Sequence, residues 1–200
     1  LLFFNEIYKK ILNVHGVIME FGVYWGRDLA LLQNLRGLYE PSNFTRKIIG
    51  FDTFEGIKGF DNEKDGLKGY NGDFATTKDY EIYLEKILEY HEKECYLPHI
   101  KKFKLIKGDV RETLPKYLEE NPETIIAFAY FDMDIYDPTK IVLENIKSHL
   151  VKGSIIVFDE INYDRFPGET TAVKEVFGLN NIKLQRIAHE PVPSYFIFGD

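Results

Sequence analysis

Short apolar runs alternate with longer segments of helical spacing along this 200-residue chain. The runs are too short for globular helices, and the segments between them repeat apolar residues every three or four positions. Such alternation predicts a parallel β-sheet with helices on both faces. The predicted strands comprise residues 17–19, 48–51, 103–106, 125–131 and 154–158.

The predicted helices complete this α/β pattern. An antiparallel hairpin is expected at the end, from residues 183–188 and 194–198, joined by a short connection containing prolines. The sum is a seven-stranded, mostly parallel sheet with an antiparallel C-terminal hairpin. The predicted helices comprise residues 1–12, 28–39, a helix through 80–88 capped by Thr76 or Thr77, one following Asp109 and ending before Asn121, 138–150 and 169–177.

Composition limits the number of domains and the kinds of partner. The length suits one domain over residues 1–200, in which the glycine-rich stretch 53–73 is predicted to be a mobile loop or lid. A net charge of -7 argues against nucleic acid, and no apolar run suggests a membrane span. The single cysteine, Cys95, fits a reducing compartment, so a cytoplasmic location is expected. The chain starts at Leu1 without a methionine, so the sequence leaves open whether residues precede Leu1 in the native chain, and it also leaves open a homo-oligomer.

The first strand ends in a turn suited to a nucleotide-like ligand. The stretch from Val17 to Asp28 passes Glu20, Gly22 and Gly26 before the next helix begins. A dinucleotide fingerprint would need a glycine where Tyr24 stands, and a bulky residue there crowds a pyrophosphate. Glu20 could meet the ammonium of an amino-acid tail. The turn therefore favours S-adenosylmethionine over NAD.

Two further strand ends carry candidate contacts to a nucleoside. Asp52 follows the second strand, where a carboxylate can accept hydrogen bonds from both ribose hydroxyls. Gly108 and Asp109 follow the third strand, and Asp109 could accept a hydrogen bond from an adenine amino group. The alternative for Asp109 is an ordinary helix N-cap.

A second acidic group follows the next two strands. Asp132, Asp159 and Glu160 are expected to meet at one edge of the sheet, because carboxyl ends of parallel strands share an edge. Carboxylates brought together repel unless a cation holds them, and an all-oxygen set suits Mg²⁺. Asp134 and Asp137 crowd the same loop, and the alternative for Asp159 and Glu160 is a turn facing solvent.

Four motifs taken in order resemble the macrocin O-methyltransferase family of sugar methyltransferases. They are Glu-Phe-Gly-Val-Tyr-Trp-Gly at 20–26, Phe-Asp-Thr-Phe-Glu-Gly at 51–56, Phe-Asp-Met-Asp-Ile-Tyr-Asp-Pro-Thr at 131–139 and Phe-Asp-Glu at 158–160. The resemblance implies a Rossmann-like class I methyltransferase fold, S-adenosylmethionine as cofactor, and Mg²⁺ held by Asp132, Asp159 and Glu160 and chelated by two neighbouring sugar hydroxyls. Cofactor contacts are then expected at Glu20, Phe21, Gly22, Tyr24, Gly26, Asp52, Thr53, Phe54, Gly108 and Asp109.

The sequence departs from the related catechol-type pattern at two positions. Ile135 stands where those enzymes carry a lysine base, and Glu160 replaces the usual Asp or Asn. Beside Asp132, the catalytic candidate is therefore Asp134 as general base, or else a hydroxyl made acidic by the metal, which needs only a weak base. The acceptor side is expected to include Tyr136, Tyr163 and Arg165, which are also explained by ordinary packing.

Three functions follow from these patterns. The first is a Mg²⁺-dependent O-methyltransferase acting on a hydroxyl of a sugar or nucleotide sugar, or on another vicinal diol. The second is an NAD-linked oxidoreductase on a similar sheet. The third is a nucleoside-binding subunit without catalytic activity, which the altered third ligand Glu160 keeps open.

Overall fold

The computed structural model describes residues 1–190 and 192–200, and Pro191, in the predicted hairpin connection, lies outside them. Strands and helices alternate as the sequence predicts. The elements are α1 (Leu2–Ile11), β1 (Val17–Phe21), α2 (Arg27–Tyr39), β2 (Ile48–Asp52), α3 (Asn62–Asp65), α4 (Tyr80–Glu94), β3 (Phe103–Lys107), α5 (Val110–Glu120), β4 (Ile126–Phe131), α6 (Tyr136–Ile146), β5 (Leu150–Phe158), α7 (Gly168–Val176), β6 (Gln185–Arg186) and β7 (Ser194–Ile197).

The seven strands form one sheet in the order β3-β2-β1-β4-β5-β7-β6. Strands β1 to β5 pair in parallel, whereas β7 pairs antiparallel with both β5 and β6. The chain order reverses between β1 and β4, and ligands of open α/β sheets bind at such a switch point. The predicted mostly parallel sheet with a C-terminal antiparallel hairpin is confirmed.

Helices cover both faces of the sheet and divide the core in two. One apolar cluster joins α5, α6 and α7 to the sheet, and the other joins α1, α2 and α4 to it. All six residues of β4 are buried, which explains its uninterrupted apolar sequence. Over the described residues, every helix is too short or too polar to cross a membrane.

Several element boundaries differ from the sequence prediction. Helix α6 ends at Ile146, and β5 begins at Leu150. The sequence pattern predicts instead that the helix continues to Leu150. The residue before α4 is Asp79, and the Thr76 hydroxyl donates instead to the carbonyl of Phe54. The stretch 53–73 includes the short helix α3, which its glycine-rich composition conceals.

A buried ionic triad, Arg36, Glu92 and Lys102, fastens α2 to α4 and to the start of β3. Both cationic groups lie 2.7 Å from the same Glu92 carboxylate oxygen, Oε1. Arg36 also donates to the Lys102 carbonyl, and the Lys102 ammonium donates to the carbonyls of Leu97 and Ile100. Because buried charges are stable only when paired, these partners fix the three segments in one arrangement.

Gly22 lies where the turn after β1 meets the end of β4. Its φ is +90°, and a Cβ atom at this position would lie 1.8 Å from the backbone oxygen of Asp132. No L-residue fits there without moving one of the two backbones. The first turn of the cleft is therefore held against the strand end that carries Asp132.

We expect Gly22→Ala to lower the free energy of unfolding by about 3–5 kcal/mol, because it adds a steric clash to an unfavourable φ. The measurement is urea unfolding followed by circular dichroism. Gly72→Ala is the matched control, since Gly72 has a φ of +89° with nothing within 4 Å of its Cβ position. Equal losses in the two variants would contradict the close contact at Gly22.

Candidate active site

A cleft of about 280 Å³ opens at the carboxyl ends of the parallel strands. The structure brings ten predicted site residues to its wall, from both the nucleoside group and the acidic group. They are Gly22, Tyr24, Asp52, Thr53, Gly108, Asp109, Asp132, Asp134, Asp159 and Glu160. The sequence prediction missed other wall residues, which include Phe51, Ile57, Lys58, Phe74, Val110, Met133, Ile135 and Pro138.

Asp52 organises the donor side of the cleft through backbone hydrogen bonds. Its Oδ2 accepts from the amides of Val23 and Tyr24 at 2.6 and 2.7 Å, and its Oδ1 accepts from the amide of Phe54 at 2.6 Å. A carboxylate accepts about four hydrogen bonds, so one position stays available for a ligand. Asp52 thus holds the first turn in place as well as lining the cleft.

The remaining residues of the first motif lie behind the wall of the cleft. Phe21 packs between Phe51 and Phe131 in the core, and a Cβ atom at Gly26 would lie 2.3 Å from Leu84 of α4. Gly26 is thus required by helix packing, whereas the sequence suggested close approach of a ligand. Glu20 is 1% exposed, and burial together with the charge of Asp28 raises its pKa well above the usual value.

Asp109 is a helix N-cap and also lies at the cleft. Its Oδ1 accepts from the amide of Arg111 at 3.0 Å, and its carboxylate pairs with the Arg111 guanidinium. The hydrogen bond from Arg111 lowers the pKa of Asp109. The capping alternative is thereby confirmed, and the contact with adenine stays a prediction.

The acidic group on the opposite wall is largely buried. Burial raises the pKa of Asp134 to about 6, with the charge of Asp159 adding to it and a hydrogen bond from Glu160 opposing it. Burial and the neighbouring Asp134 raise the pKa of Glu160 to about 9. Burial, followed by the charge of Asp159, raises the pKa of Asp132 well above its usual value. Burial and the repulsion between these neighbours therefore favour the protonated form of each of these carboxyl groups.

Two buried residues near this group escaped the sequence prediction. The Tyr130 hydroxyl lies 3.4 Å from Oδ2 of Asp132 and 3.3 Å from Oδ1 of Asp159. Glu169 of α7 is fully buried and accepts from the amides of Met133 and Glu160. Tyr130 lies in strand β4 and Glu169 in helix α7. The sequence patterns of these two elements indicate only packing, so they do not identify either residue as part of the site.

The acidic group fits Mg²⁺ in its chemistry but is not arranged around an ion. Within residues 1–190 and 192–200, no three His, Cys, Asp or Glu side chains stand close enough together to hold a metal. All donors in the group are carboxylate oxygens, the type that Mg²⁺ prefers. Glu160 Oε2 is buried without a hydrogen-bond partner among the described residues, so one donor is available to a cation.

The three residues expected on the acceptor side lie outside the wall of the cleft. The Tyr136 hydroxyl donates to Glu175 of α7 at 2.6 Å, and its ring is buried between α6 and α7. This partner explains why its side chain faces away from the cleft. Tyr163 is half-buried, and the exposed Arg165 lies over the ring of Phe166, close enough for its charge to lower the pKa of Asp134.

The sequence profile of the macrocin O-methyltransferase family matches residues 4–190. The chain belongs to this family. No curated protein sequence matches the chain. The family places the chain among the S-adenosylmethionine-dependent O-methyltransferases and confirms the predicted enzyme class. The NAD-linked alternative is left without support.

Solved structures agree with the family assignment. A crystal structure of CalS11, a calicheamicin methyltransferase, matches with a TM-score of 0.95 and 46% identity, over 98% of this chain and 77% of that one. The apo structure of CalS11, named there a TDP-rhamnose 3'-O-methyltransferase, matches with a TM-score of 0.86 and 43% identity over the same shares. The O-methyltransferase NovP, at 19% identity and a TM-score of 0.69 over 96% of this chain and 76% of that one, shares the fold. The predicted Rossmann-like class I methyltransferase fold is confirmed.

The raised pKa of Glu160 makes stability depend on pH. A carboxyl whose pKa rises on folding stabilises the native state below its unfolded pKa, and this stability is lost as pH rises towards about 9. Glu160→Gln keeps a neutral side chain at every pH. Without divalent ions, we therefore expect the Tm of the variant minus that of the wild type to rise by at least about 3 °C between pH 5 and pH 9.

Calorimetric scans in EDTA measure this difference. Glu119→Gln, at an exposed position of α5, is the matched control and should leave the difference constant across the range. A constant difference for Glu160→Gln as well would show that Glu160 is solvated in the folded protein.

Proposed function

We propose that this protein transfers the methyl group of S-adenosylmethionine to a hydroxyl of a sugar, with Mg²⁺ as metal cofactor. One observation carries the proposal: a single cleft joins a donor-side wall, built by Gly22, Asp52 and Asp109, to a buried acidic wall. CalS11, named as acting on TDP-rhamnose, supports a nucleotide sugar as the acceptor. A homo-oligomer and a cytoplasmic location belong to the same proposal.

The donor side would bind the nucleoside and the amino-acid tail. Asp52 has one acceptor position left for a ribose hydroxyl. The cavity wall at Asp109 and Val110 combines a polar and an apolar side chain, which would contact adenine. The sulfonium and ammonium groups are cationic. The neighbouring charges of Asp28, Asp132 and Asp52, which raise the pKa of Glu20, also favour a cation at this end of the cleft.

Asp132, Asp159 and Glu160 would hold the metal. Their mutual repulsion and the unpartnered oxygen of Glu160 support this assignment. When bound, Mg²⁺ supplies Lewis-acid stabilisation of negative charge on an acceptor oxygen. The Tyr130 hydroxyl lies within hydrogen-bond distance of both Asp132 and Asp159, so it would help to hold these two carboxylates near each other.

Asp134 would be the general base. A carboxylate whose pKa is about 6 is mostly ionised at pH 7.5 and still accepts a proton readily. Bound S-adenosylmethionine would supply a sulfonium methyl group whose leaving group is a neutral thioether, which takes the electron pair of the C–S bond. Asp134 would accept the proton of the acceptor hydroxyl, so that the oxygen lone pair is free to form the new C–O bond.

We expect mutations in the two walls of the cleft to impair different functions. Asp159→Asn should weaken Mg²⁺ binding at least tenfold and reduce kcat by about 100-fold or more, while the affinity for S-adenosylmethionine changes less than threefold. Asp52→Ala should weaken S-adenosylmethionine binding at least tenfold, because Val23, Tyr24 and Phe54 lose their hydrogen-bond acceptor. Isothermal titration calorimetry and steady-state kinetics provide both readouts.

Asp137→Asn is the matched control for Asp159→Asn. Asp137 follows the same strand but pairs with Lys64 at the surface and lies outside the wall of the cleft. It should leave Mg²⁺ affinity and kcat unchanged. Equal loss of S-adenosylmethionine affinity in Asp159→Asn and Asp52→Ala would contradict two separate walls.

The acceptor is tested by a screen of nucleotide sugars and glycosylated products, with and without Mg²⁺, in which methylated products are detected by mass spectrometry. We expect transfer to a sugar with two neighbouring hydroxyls and loss of transfer in EDTA. Binding of S-adenosylmethionine without transfer to any acceptor would favour the inactive nucleoside-binding subunit. Binding of NAD in place of S-adenosylmethionine would overturn the proposal.

A further inference from the structure

The turn that carries Asp134 has a strained backbone. Asp134 has a φ of +64°, in the left-handed region that non-glycine residues rarely adopt, and the amide of Ile135 donates to the carbonyl of Met133 across it at 2.7 Å. Such a conformation is unfavourable for a residue with a Cβ atom and persists where surrounding contacts determine it. The contacts that hold this turn come from two other elements of the fold.

At its first end the turn is held by Glu169 of α7. The amide of Met133 donates to Glu169 Oε1 at 3.4 Å, and the second oxygen, Oε2, accepts from the amide of Glu160 at 3.3 Å. Glu169 is fully buried. One carboxylate from α7 thus connects the turn after β4 to the turn after β5.

At its second end the turn is held by Asp65, which belongs to α3 in the stretch 53–73. The amide of Tyr136, the first residue of α6, donates to Asp65 Oδ1 at 2.6 Å, and the amide of Asp61 donates to Oδ2 at 2.9 Å. Ile135 precedes α6 and has no side chain able to cap it, so the cap is supplied by a residue 71 positions away. Asp65 is 1% exposed.

The two anchoring points meet at Gly168. A Cβ atom there would lie 2.5 Å from the Tyr136 amide nitrogen and 2.7 Å from Asp65 Oδ1. The start of α7 therefore packs directly on the hydrogen bond between Asp65 and Tyr136, and Glu169 follows as the next residue. The stretch 53–73, the Asp134 turn and α7 are in contact at this one place.

We propose that Asp65 and Glu169 are positioning residues that fix Asp134 in its catalytic conformation from the two ends of its turn. The inference rests on the proposed function, in which Asp134 is the general base. Neither residue lines the cleft. Asp134 is therefore placed correctly only when α3 is docked onto the start of α6.

The test compares Asp65→Ala, Asp65→Asn and Glu169→Gln in the full chain. We expect Asp65→Ala to lower kcat by about 10- to 100-fold, because a misplaced base loses the reactive geometry. Glu169→Gln should do the same, because both Glu169 oxygens accept from the two turns and the amide nitrogen cannot replace either of them. The Kd for S-adenosylmethionine should change less than twofold. Asp65→Asn keeps an oxygen for the Tyr136 amide and should recover most of kcat, whereas a purely charge-based role would give no recovery.

Lys64→Met is the matched control. Its ammonium pairs with Asp137 at the surface and lies over the ring of Tyr136, so it also joins α3 to α6, but its hydrogen bond goes to Asp137 and not to the backbone of the turn. It should leave kcat within twofold of the wild type. A loss of kcat equal to that of Asp65→Ala would show that docking alone matters and would overturn the positioning role.

Hydrogen–deuterium exchange of the peptide spanning residues 132–138 gives a second readout that needs no turnover. Exchange should rise in Asp65→Ala and Glu169→Gln while a peptide from β2 stays unchanged. Unchanged exchange at 132–138, or unchanged kcat in both variants, would overturn the inference. Absence of methyl transfer by the wild type, with exchange raised as expected, would instead overturn the proposed function and leave the anchoring of the turn in place.

Discussion

The site depends on holding several carboxylates together away from water. Ionised carboxyl groups at short range repel, and burial strengthens that repulsion because the surrounding dielectric is low. The fold meets this constraint in part with amide donors, because Glu169 accepts from the amides of Met133 and Glu160. These contacts tie the turn after β4 to the turn after β5.

The two walls of the cleft are joined by contacts to backbone atoms. Gly22 packs against the Asp132 carbonyl, and the Asp52 carboxylate accepts hydrogen bonds from the amides of Val23 and Tyr24, which follow Gly22. Both contacts lie where β1, β2 and β4 end, so the register of these three strands sets how the two walls face each other.

Much of this architecture follows from rules about strand ends. Because parallel strands point the same way, the residues after Phe51, Phe131 and Phe158 had to share an edge, and the predicted Asp52, Asp132 and Asp159 all line one cleft. Side-chain direction is not set by that rule. Phe21 faces the core, and the ring of Tyr136 packs between α6 and α7 because Glu175 offers its hydroxyl a partner. Tyr130 and Glu169 lie in segments whose periodicity signals only packing, so long-range contacts alone reveal them.

The buried triad of Arg36, Glu92 and Lys102 has a consequence for how such enzymes diversify. Its hydrogen bonds run among α2, α4 and residues 97–102, and separating a buried pair of this kind costs about 3–5 kcal/mol. A genetic crossover between Arg36 and Glu92 that combines two mismatched parents breaks the triad. An exchange confined to residues 53–73 leaves all three members with their partners. That stretch can therefore be exchanged as a cassette without disturbing the triad, and α6 stays capped provided that the incoming segment keeps a carboxylate at the position of Asp65.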